Sequence, residues 1–323
     1  MKRTLSPSWR AAMALVLACA CPPAWGFSSS QKGTSGAQFL EIEPGARPSG
    51  MAGAFAGLAD DVNSVYYNPA GLGAIKNVQA EGMDDQYFQG ANYDFGALAV
   101  PLLSWDKKST APKNEFGTLG AAVYNLSVGS IEGYDTSENP TGNFSSQDFA
   151  YALSYGYEIP RVGLSLGATE KYITSNIDGY GASSYATDLG ALYRWGDQFS
   201  AGGGARNLGP KYGFAGQGDP LPMAWYAGAA YKIIPQWIVT AELDLPRDNG
   251  TSYALGTEYA MMFTENLGAA VRAGYASRNT DAGGFSGATF GAGLKYSNFG
   301  FDFAFVPFGD LGNTYLYSLT IGF

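Results

Sequence analysis

The feature that most constrains this chain is an alternation of large apolar residues with small or polar ones, which recurs from about residue 78 onwards. In the last such segment, the large residues are Tyr315, Tyr317, Leu319, Ile321 and Phe323. Successive side chains of a β-strand point to opposite faces, so a period of two indicates strands that each have one apolar face. The sequence therefore predicts an all-β fold for this region.

The alternation occurs in fourteen segments separated by turn residues. We place them at 78–88, 92–101, 116–128, 147–159, 162–174, 184–195, 198–206, 222–234, 236–245, 251–262, 265–276, 286–297, 299–306 and 314–323. Connections after even-numbered segments are mostly tight, whereas those after odd-numbered segments are mostly longer, notably 129–146 and 207–221; the long connection 102–115 departs from this rule. Outer-membrane barrels have short periplasmic turns and long outer loops, so we expect both termini in the periplasm.

A water-soluble β-sandwich is the competing fold. It would bury the aromatic face as a core and place Lys and Glu on the other face. Here the other face is rich in Gly, Ala, Ser and Thr, and only 15% of all residues are charged. An exterior in contact with membrane lipid explains this pattern better. We predict a 14-stranded antiparallel transmembrane β-barrel over residues 78–323, in the outer membrane of a diderm bacterium, with the segment that ends at Phe323 as its C-terminal signal.

The first 26 residues have the pattern of a cleaved secretory signal peptide. Lys2, Arg3 and Arg10 precede an uncharged run, and the small residues of Ala24-Trp25-Gly26 suit a signal peptidase. A lipoprotein signal, with Cys19 or Cys21 acylated, is the alternative. Removal of residues 1–26 leaves 16 basic and 28 acidic residues, a net charge of −12. This balance argues against nucleic-acid binding, which requires basic surfaces.

The chain offers little for catalysis, and we predict neither an enzyme nor a cofactor. Residues 163–167 match the Gly-x-Ser-x-Gly pattern of hydrolases, but they lie within an alternating segment and the chain contains no histidine. Asp60, Asp61 and Asn63 carry oxygen ligands suited to Ca²⁺, yet they make an incomplete set. We therefore predict no metal site and interpret these three residues as an acidic turn.

Polar residues on the face opposite the aromatic one would point into the barrel. The charged ones are Asp188, Arg194, Arg206, Glu242, Asp244, Glu258, Arg272, Lys295 and Asp302. The two signs are nearly balanced, which favours a cross-braced interior over an ion-selective pore. Glycines share this face, at Gly190, Gly256, Gly268, Gly274, Gly291, Gly293 and Gly300. Glycine within a strand often marks the close approach of another backbone, so something is expected to fill the lumen.

Residues 27–77 are the segment available to fill it, and we predict that they form a luminal hatch. Asn68, Pro69, Ala70 and Gly71 would make a stiff turn, because Asn-Pro initiates turns and proline fixes φ. Such a turn can act as a gate, or it can simply aim the segment inward. If small hydrophobic solutes bind between hatch and wall, the expected contacts are Phe55, Tyr66 and Tyr67.

The run FLEIEPGARPSGMAGAFAGLADDVNSVYYNPAGLG, residues 39–73, resembles the N-terminal signature of the PorV/PorQ family, part of the FadL-like superfamily. Further similarity lies in the runs DLGALYR (188–194), NLGP (207–210) and DPLP (219–222). The resemblance implies a 14-stranded barrel with an N-terminal hatch whose turn is Asn68-Pro69-Ala70. Members like PorV act with type IX secretion machinery and receive exported proteins at the cell surface.

Two functions follow from this resemblance. The first is protein export, with cargo proteins or secretion-machinery components docking on the loops 129–146 and 207–221. The alternative is a FadL-like passive channel for small hydrophobic solutes, which in that superfamily leave sideways at a kinked third strand. The alternation of the third segment slips between Val123 and Tyr124, which predicts a bulge there. In either case the other partner is outer-membrane lipid.

Overall fold

The computed structural model describes residues 32–104, 113–214, 217–278 and 285–323. Within these ranges, fourteen antiparallel strands close into a barrel, which confirms the predicted fold class. The strands of the wall are β1 (Gln79–Gln86), β2 (Ala91–Ser104), β3 (Lys113–Tyr134), β4 (Pro140–Glu158), β5 (Leu164–Ile177), β6 (Tyr180–Trp195), β7 (Phe199–Leu208), β10 (Ala224–Ile234), β11 (Trp237–Pro246), β12 (Ser252–Met262), β13 (Leu267–Ala276), β14 (Ala288–Tyr296), β15 (Phe299–Pro307) and β16 (Asn313–Gly322). The predicted signal peptide, residues 1–26, lies outside the described residues.

Closure of the barrel joins its first and last strands. β1 pairs with β16 from Gln79 opposite Gly322 to Gln86 opposite Tyr315, and the Phe323 N–H donates to the Val78 carbonyl at 2.9 Å. The other strands each pair with their neighbours in chain order, except that β7 pairs with β10. Between those two strands, β8 (Tyr212–Phe214) and β9 (Gln217–Asp219) form a separate two-stranded hairpin. Closure leaves the wall without an open edge, which a membrane requires.

The two faces of the wall differ as the alternation predicts. The outer face carries exposed apolar and aromatic residues on every side, including Leu153, Leu189, Leu255 and Val271. Tyr315, Tyr317 and Leu319 of β16 and the following Phe323 are also exposed on this face. Ile321, in the same phase, is half-buried. An apolar exterior of this kind is stable in lipid and unstable in water.

Two local expectations about β3 were wrong. The connection predicted at 129–146 is mostly strand, because β3 and β4 continue as a hairpin that turns only between Tyr134 and Pro140. The register from Pro101 opposite Thr118 to Ala91 opposite Val128 is unbroken, so there is no bulge between Val123 and Tyr124. The pairing is irregular at two other places. Between β2 and β3 the register shifts near Leu102, and between β3 and β4 it shifts just beyond Val128, where the hairpin begins.

Residues 32–77, called here the N-terminal segment, lie inside the barrel. They contain only short regular elements: the helices α1 (Ala46–Ser49) and α2 (Ser64–Tyr67) and 3₁₀ turns at Gln38–Glu41 and Pro69–Ala74. Most of the segment between Phe39 and Ile75 is buried. Among the described residues, no helix is long and apolar enough to cross a membrane.

The outward face can be tested with a lysine placed at mid-membrane height. Val271 is near the middle of β13 and its side chain is 62% exposed. We expect Val271→Lys to lower the free energy of unfolding by about 2–4 kcal/mol, since a cation there must enter hydrocarbon. The control is Tyr180→Lys at the loop-side start of β6, where the cost should be about 0–1 kcal/mol. Urea unfolding in lipid vesicles measures both, and equal costs would contradict a lipid-facing Val271.

Candidate functional site

The N-terminal segment approaches the wall at glycines, where no side chain stands between the two backbones. A Cβ atom added at Gly256 would lie 2.7 Å from the Met51 carbonyl oxygen, and one at Gly291 would lie 3.1 Å from the Gly50 Cα. Gly274 faces the same stretch, so any side chain on these glycines would push the segment away from the wall.

The predicted inward glycines divide into two groups. Gly190, Gly256, Gly274 and Gly291 face the N-terminal segment, whereas Gly268, Gly293 and Gly300 face side chains of the wall itself. Several glycines in contact with the segment were missed: Gly120, Gly156, Gly167, Gly202 and Gly228. Their signal was present in the sequence, because each lies in a predicted strand, in the phase opposite the large residues.

The turn at Asn68-Pro69-Ala70-Gly71 is fully buried against β4, β5 and β6. The Asn68 amide donates to the carbonyls of Ala56 and Ala191, at 3.0 and 3.1 Å, and its Oδ1 accepts from the Ala70 N–H at 3.2 Å. One side chain thus joins two parts of the N-terminal segment to the wall. The fixed φ of Pro69 stiffens the corner between them.

The acidic turn pairs with one arginine of the same segment. The Arg47 guanidinium contacts Asp60 at 2.7 Å and Asp61 at 2.6 Å, and its Nε lies 2.9 Å from Glu258 of β12. Burial alone would lower the pKa of Arg47, but the three carboxylates outweigh it and raise that pKa well above the usual value. The guanidinium is therefore a fixed positive charge that ties the acidic turn to the wall.

Asn63, the third residue of the predicted acidic turn, has a different role. Its backbone N–H donates to Asp61 at 2.9 Å, and its side-chain amide donates to Glu81 of β1 at 2.8 Å. Asp60, Asp61 and Asn63 thus make hydrogen bonds and ion pairs. The described residues contain no group of three or more His, Cys, Asp or Glu side chains arranged to hold a metal ion.

The charged wall residues form three clusters. Arg272 links Glu258 and Asp302 at 2.6 and 2.7 Å and so extends the Arg47 cluster across β12, β13 and β15. Arg206 pairs with Glu242 at 3.1 Å and with Asp244 at 3.5 Å. A third pair, between Lys171 and Asp188 at 2.6 Å, is buried beneath Tyr66. Lys171 was missed by the sequence reasoning, although it lies in the inward phase of the predicted strand 162–174.

Two other predicted luminal charges are placed differently. Arg194 makes no ion pair among the described residues and donates instead to the Ala59 carbonyl of the N-terminal segment at 3.1 Å. Lys295 is exposed at the end of the barrel where the chain ends. Neither residue braces the wall in the way that the sequence reasoning expected.

The aromatic residues expected to contact a ligand pack against each other and against Arg206. Phe55 and Tyr67 are edge to face at 5.4 Å, and Tyr66 and Tyr67 at 4.9 Å. The Arg206 guanidinium lies 5.4 Å from the Tyr66 ring and 4.1 Å from the Tyr226 ring. Of the three expected contacts, only Tyr66 lines one of the cavities described below.

Cavities lie on both sides of the N-terminal segment. The connections after β1, β3, β5 and β7 define the loop end of the barrel. This end holds a cavity of about 420 Å³, here called the loop-end cavity, and next to it a side cavity of about 270 Å³. The turn end, where Gln79 and Phe323 lie, holds a turn-end cavity of about 780 Å³ lined by Arg47, Glu258 and Lys295. The segment separates the two ends.

Glu41 is shared by both cavities of the loop end. Its side chain can be reached from these cavities, but the surrounding barrel mouth shields it from bulk water. This enclosure, together with the nearby charge of Asp248, raises the pKa of Glu41 to about 7. The loop-end cavity also has an apolar part, formed by Phe39, Ile42, Leu126, Val306 and Leu316. The site is thus a chamber with apolar walls and a few acidic groups.

Comparisons with known proteins support the fold. Neither a protein-family model nor a curated protein matches the sequence. Among solved structures, the toluene transporter TbuX of Ralstonia pickettii is similar over 88% of this chain and 98% of that one, with a TM-score of 0.57 and 13% identity. The Pseudomonas putida toluene transporter TodX is similar over 81% of this chain and 94% of its own, with a TM-score of 0.51 and 12% identity. A Pseudomonas aeruginosa FadL homologue is similar over 87% of this chain and 98% of its own, with a TM-score of 0.51 and 10% identity. At these identities the similarity concerns the fold.

The contacts of Asn68 can be tested by removing its amide. We expect Asn68→Ala to loosen the segment around residues 56–73, because the buried Ala56 carbonyl and the half-buried Ala191 carbonyl lose their donor, at a cost of about 1–3 kcal/mol. Hydrogen exchange with mass spectrometry should show faster exchange there and unchanged exchange in the strands. The control is Asn125→Ala, which removes an exposed amide on β3 bonded to Asp94. Equal protection in both variants would show that Asn68 does not hold the turn.

Proposed function

We propose that this protein is an outer-membrane channel for small hydrophobic solutes and that residues 27–77 form its hatch. The observation that supports this most is the pair of chambers at the two ends of the barrel, with a non-covalently held segment between them. Similarity in fold to two toluene transporters and a FadL homologue points in the same direction.

The loop-end cavity suits the entry of a small solute. Its volume of about 420 Å³ lies in the range of known small-molecule sites, roughly 300–1,000 Å³. Phe39 and Ile42 belong to the hatch, whereas Val306 and Leu316 belong to the wall. A solute between them would therefore touch both the moving part and the fixed part, which is the arrangement that couples binding to movement.

Opening must break the contacts that hold the segment to the wall. These are ion pairs and hydrogen bonds, such as those of Arg47 with Glu258 and of the Ser318 hydroxyl with the Ala46 N–H. Polar contacts of this kind can exchange for contacts with water once the segment moves. The resemblance of the Asn-Pro-Ala turn to that of a known hatch agrees with this role.

Protein export is the second candidate, and the resemblance of residues 39–73 to the PorV/PorQ signature favours it. The β3–β4 hairpin extends past its neighbouring strands β2 and β5 and would offer a docking surface, together with β8 and β9. Neither the cavities nor the structural neighbours support export, so we place the solute channel first.

The channel is tested by locking the hatch. Cysteines at Ala46 and Ser318, where the backbone N–H and the hydroxyl oxygen are 2.9 Å apart, would join α1 to β16. In cells that lack the native gene, the oxidised double variant should lose most uptake of labelled toluene and regain it on reduction. Each single-cysteine variant is the control. Uptake that is equal with and without the disulfide would contradict a hatch that moves at this contact.

Protein export and the solute channel predict different results for a deletion strain. If the channel proposal is right, the surface and culture-fluid proteomes of the deletion strain match those of the parent, while uptake of the hydrophobic solute falls. If a defined set of proteins accumulates inside the cell instead, export is the function. Complementation with the unmodified gene controls for indirect effects on the envelope.

A further inference from the structure

One carboxylate in the loop-end cavity lacks a partner. Asp85 points inward from β1, its side chain is only 2% exposed, and it lines the cavity. Its Oδ1 atom is buried and receives no hydrogen bond in the structure. Burying an ionised carboxylate without a partner is costly, so a ligand that supplies a positive charge or a donor would be stabilised there.

Arg278, which lines this cavity, already has partners. Arg278 lies 2.5 Å from Glu43 and also donates to the Ala52 carbonyl at 3.0 Å. Glu41 adds a further carboxyl group to the cavity lining. Among the described lining residues, the acids therefore outnumber the bases by three to one, and an anionic head group would meet unfavourable charge.

Aromatic rings lie close to the unpartnered carboxylate. Tyr87, two residues beyond Asp85, packs edge to face with Phe308 at 5.8 Å, and both line the cavity. Leu316 is opposite Asp85 in the β1–β16 register and adds an apolar surface. A cation is attracted by the faces of aromatic rings, and an apolar body is stabilised by contact with them. The two halves of a cationic amphiphile thus find suitable groups side by side.

The connections at this end of the barrel favour the same ligand. Their described residues include six acids and three bases: Asp135, Glu138, Asp178, Asp219, Asp248 and Asp310 against Lys211, Arg247 and Arg278. A mouth with an excess of negative charge raises the local concentration of cations and lowers that of anions.

We propose that the loop-end cavity selects cationic amphiphiles, in which an ammonium group attached to a small aromatic or alkyl body binds Asp85. This inference rests on the proposed transport of hydrophobic solutes and names the class of solute that the cavity prefers. Glu41 strengthens the preference from the hatch side. Tyr87 and Phe308 hold the apolar body.

The test compares three ligands of similar shape and different charge. Phenethylammonium, 2-phenylethanol and 3-phenylpropanoate are titrated into the purified full chain in non-ionic detergent at neutral pH, followed by calorimetry. We expect phenethylammonium to bind about tenfold more tightly than the alcohol, since a charge-assisted hydrogen bond contributes about that factor. The anion should bind more weakly than the alcohol. Equal affinities, or a preference for the anion, would overturn the proposal.

Two variants place the preference on Asp85. Asp85→Asn should bring phenethylammonium to within about twofold of the alcohol, and Asp84→Asn should leave the tenfold preference intact. Asp84 is the matched control because it is the adjacent residue on the exposed face of β1. If the preference for phenethylammonium persists in Asp85→Asn, groups other than Asp85 cause it and the proposal is wrong. The affinity order of the unmodified protein tests the proposal even if Asp85→Asn does not fold.

Uptake of the neutral alcohol separates this inference from the proposed function. If cells take up 2-phenylethanol through the protein but the three affinities are equal, the channel proposal is supported and the proposed selectivity for cationic amphiphiles is contradicted. If the ammonium preference is present but cells take up neither phenethylammonium nor the alcohol through the protein, the cavity is a binding site and the channel proposal is contradicted.

Discussion

The structure depends on how the backbone of the N-terminal segment is hydrogen-bonded inside the barrel. The segment has little regular secondary structure, so many of its N–H and C=O groups lack partners within it and need them from elsewhere. Side chains of the wall provide them: Glu242 accepts from the N–H groups of Phe55 and Ala56, and Ser200, Arg194 and Arg206 donate to the carbonyls of Gly57, Ala59 and Tyr67. The polar inner face of the wall therefore does for the segment what helix or sheet hydrogen bonds do elsewhere.

This requirement explains why the sequence predicted the wall well and the interior only in part. Alternation depends on which face of a strand meets lipid, a property local to each strand, and all fourteen strands were found from it. The outer part of the β3–β4 hairpin was missed because its residues 129–146 are exposed or half-buried and the apolar phase disappears there. Tyr124 was misread as a bulge because it is an aromatic residue pointing inward, where it lies 6.1 Å from Tyr66 and 5.2 Å from Phe95.

The residues of the candidate site were harder to predict, because their partners are distant in sequence. The phase of a strand places Glu258 and Arg272 inside, but nothing in the sequence pairs Glu258 with Arg47, 211 residues away. Asp85 was given no role from the sequence. Its segment, QAEGMDDQ, shows no clear apolar phase, and the alternation that sends Asp84 outward and Asp85 inward is seen only in the structure. Only the three-dimensional structure reveals that its Oδ1 is buried without a partner.

The contacts at glycine limit how the interior can open. Pro69 lies against Gly156 and Gly167, and Gly57 lies against Gly228, without room for another side chain between them. A solute therefore has no path between the segment and this part of the wall unless the segment moves. On the opposite side, residues 38–43 face Asp85 and Leu316 across the loop-end cavity, and the Tyr93 hydroxyl of β2 donates to the Ile42 carbonyl at 3.0 Å. In the channel proposed above, movement of the N-terminal segment would accordingly begin on the cavity side, with the glycine contacts as the fixed side about which it turns.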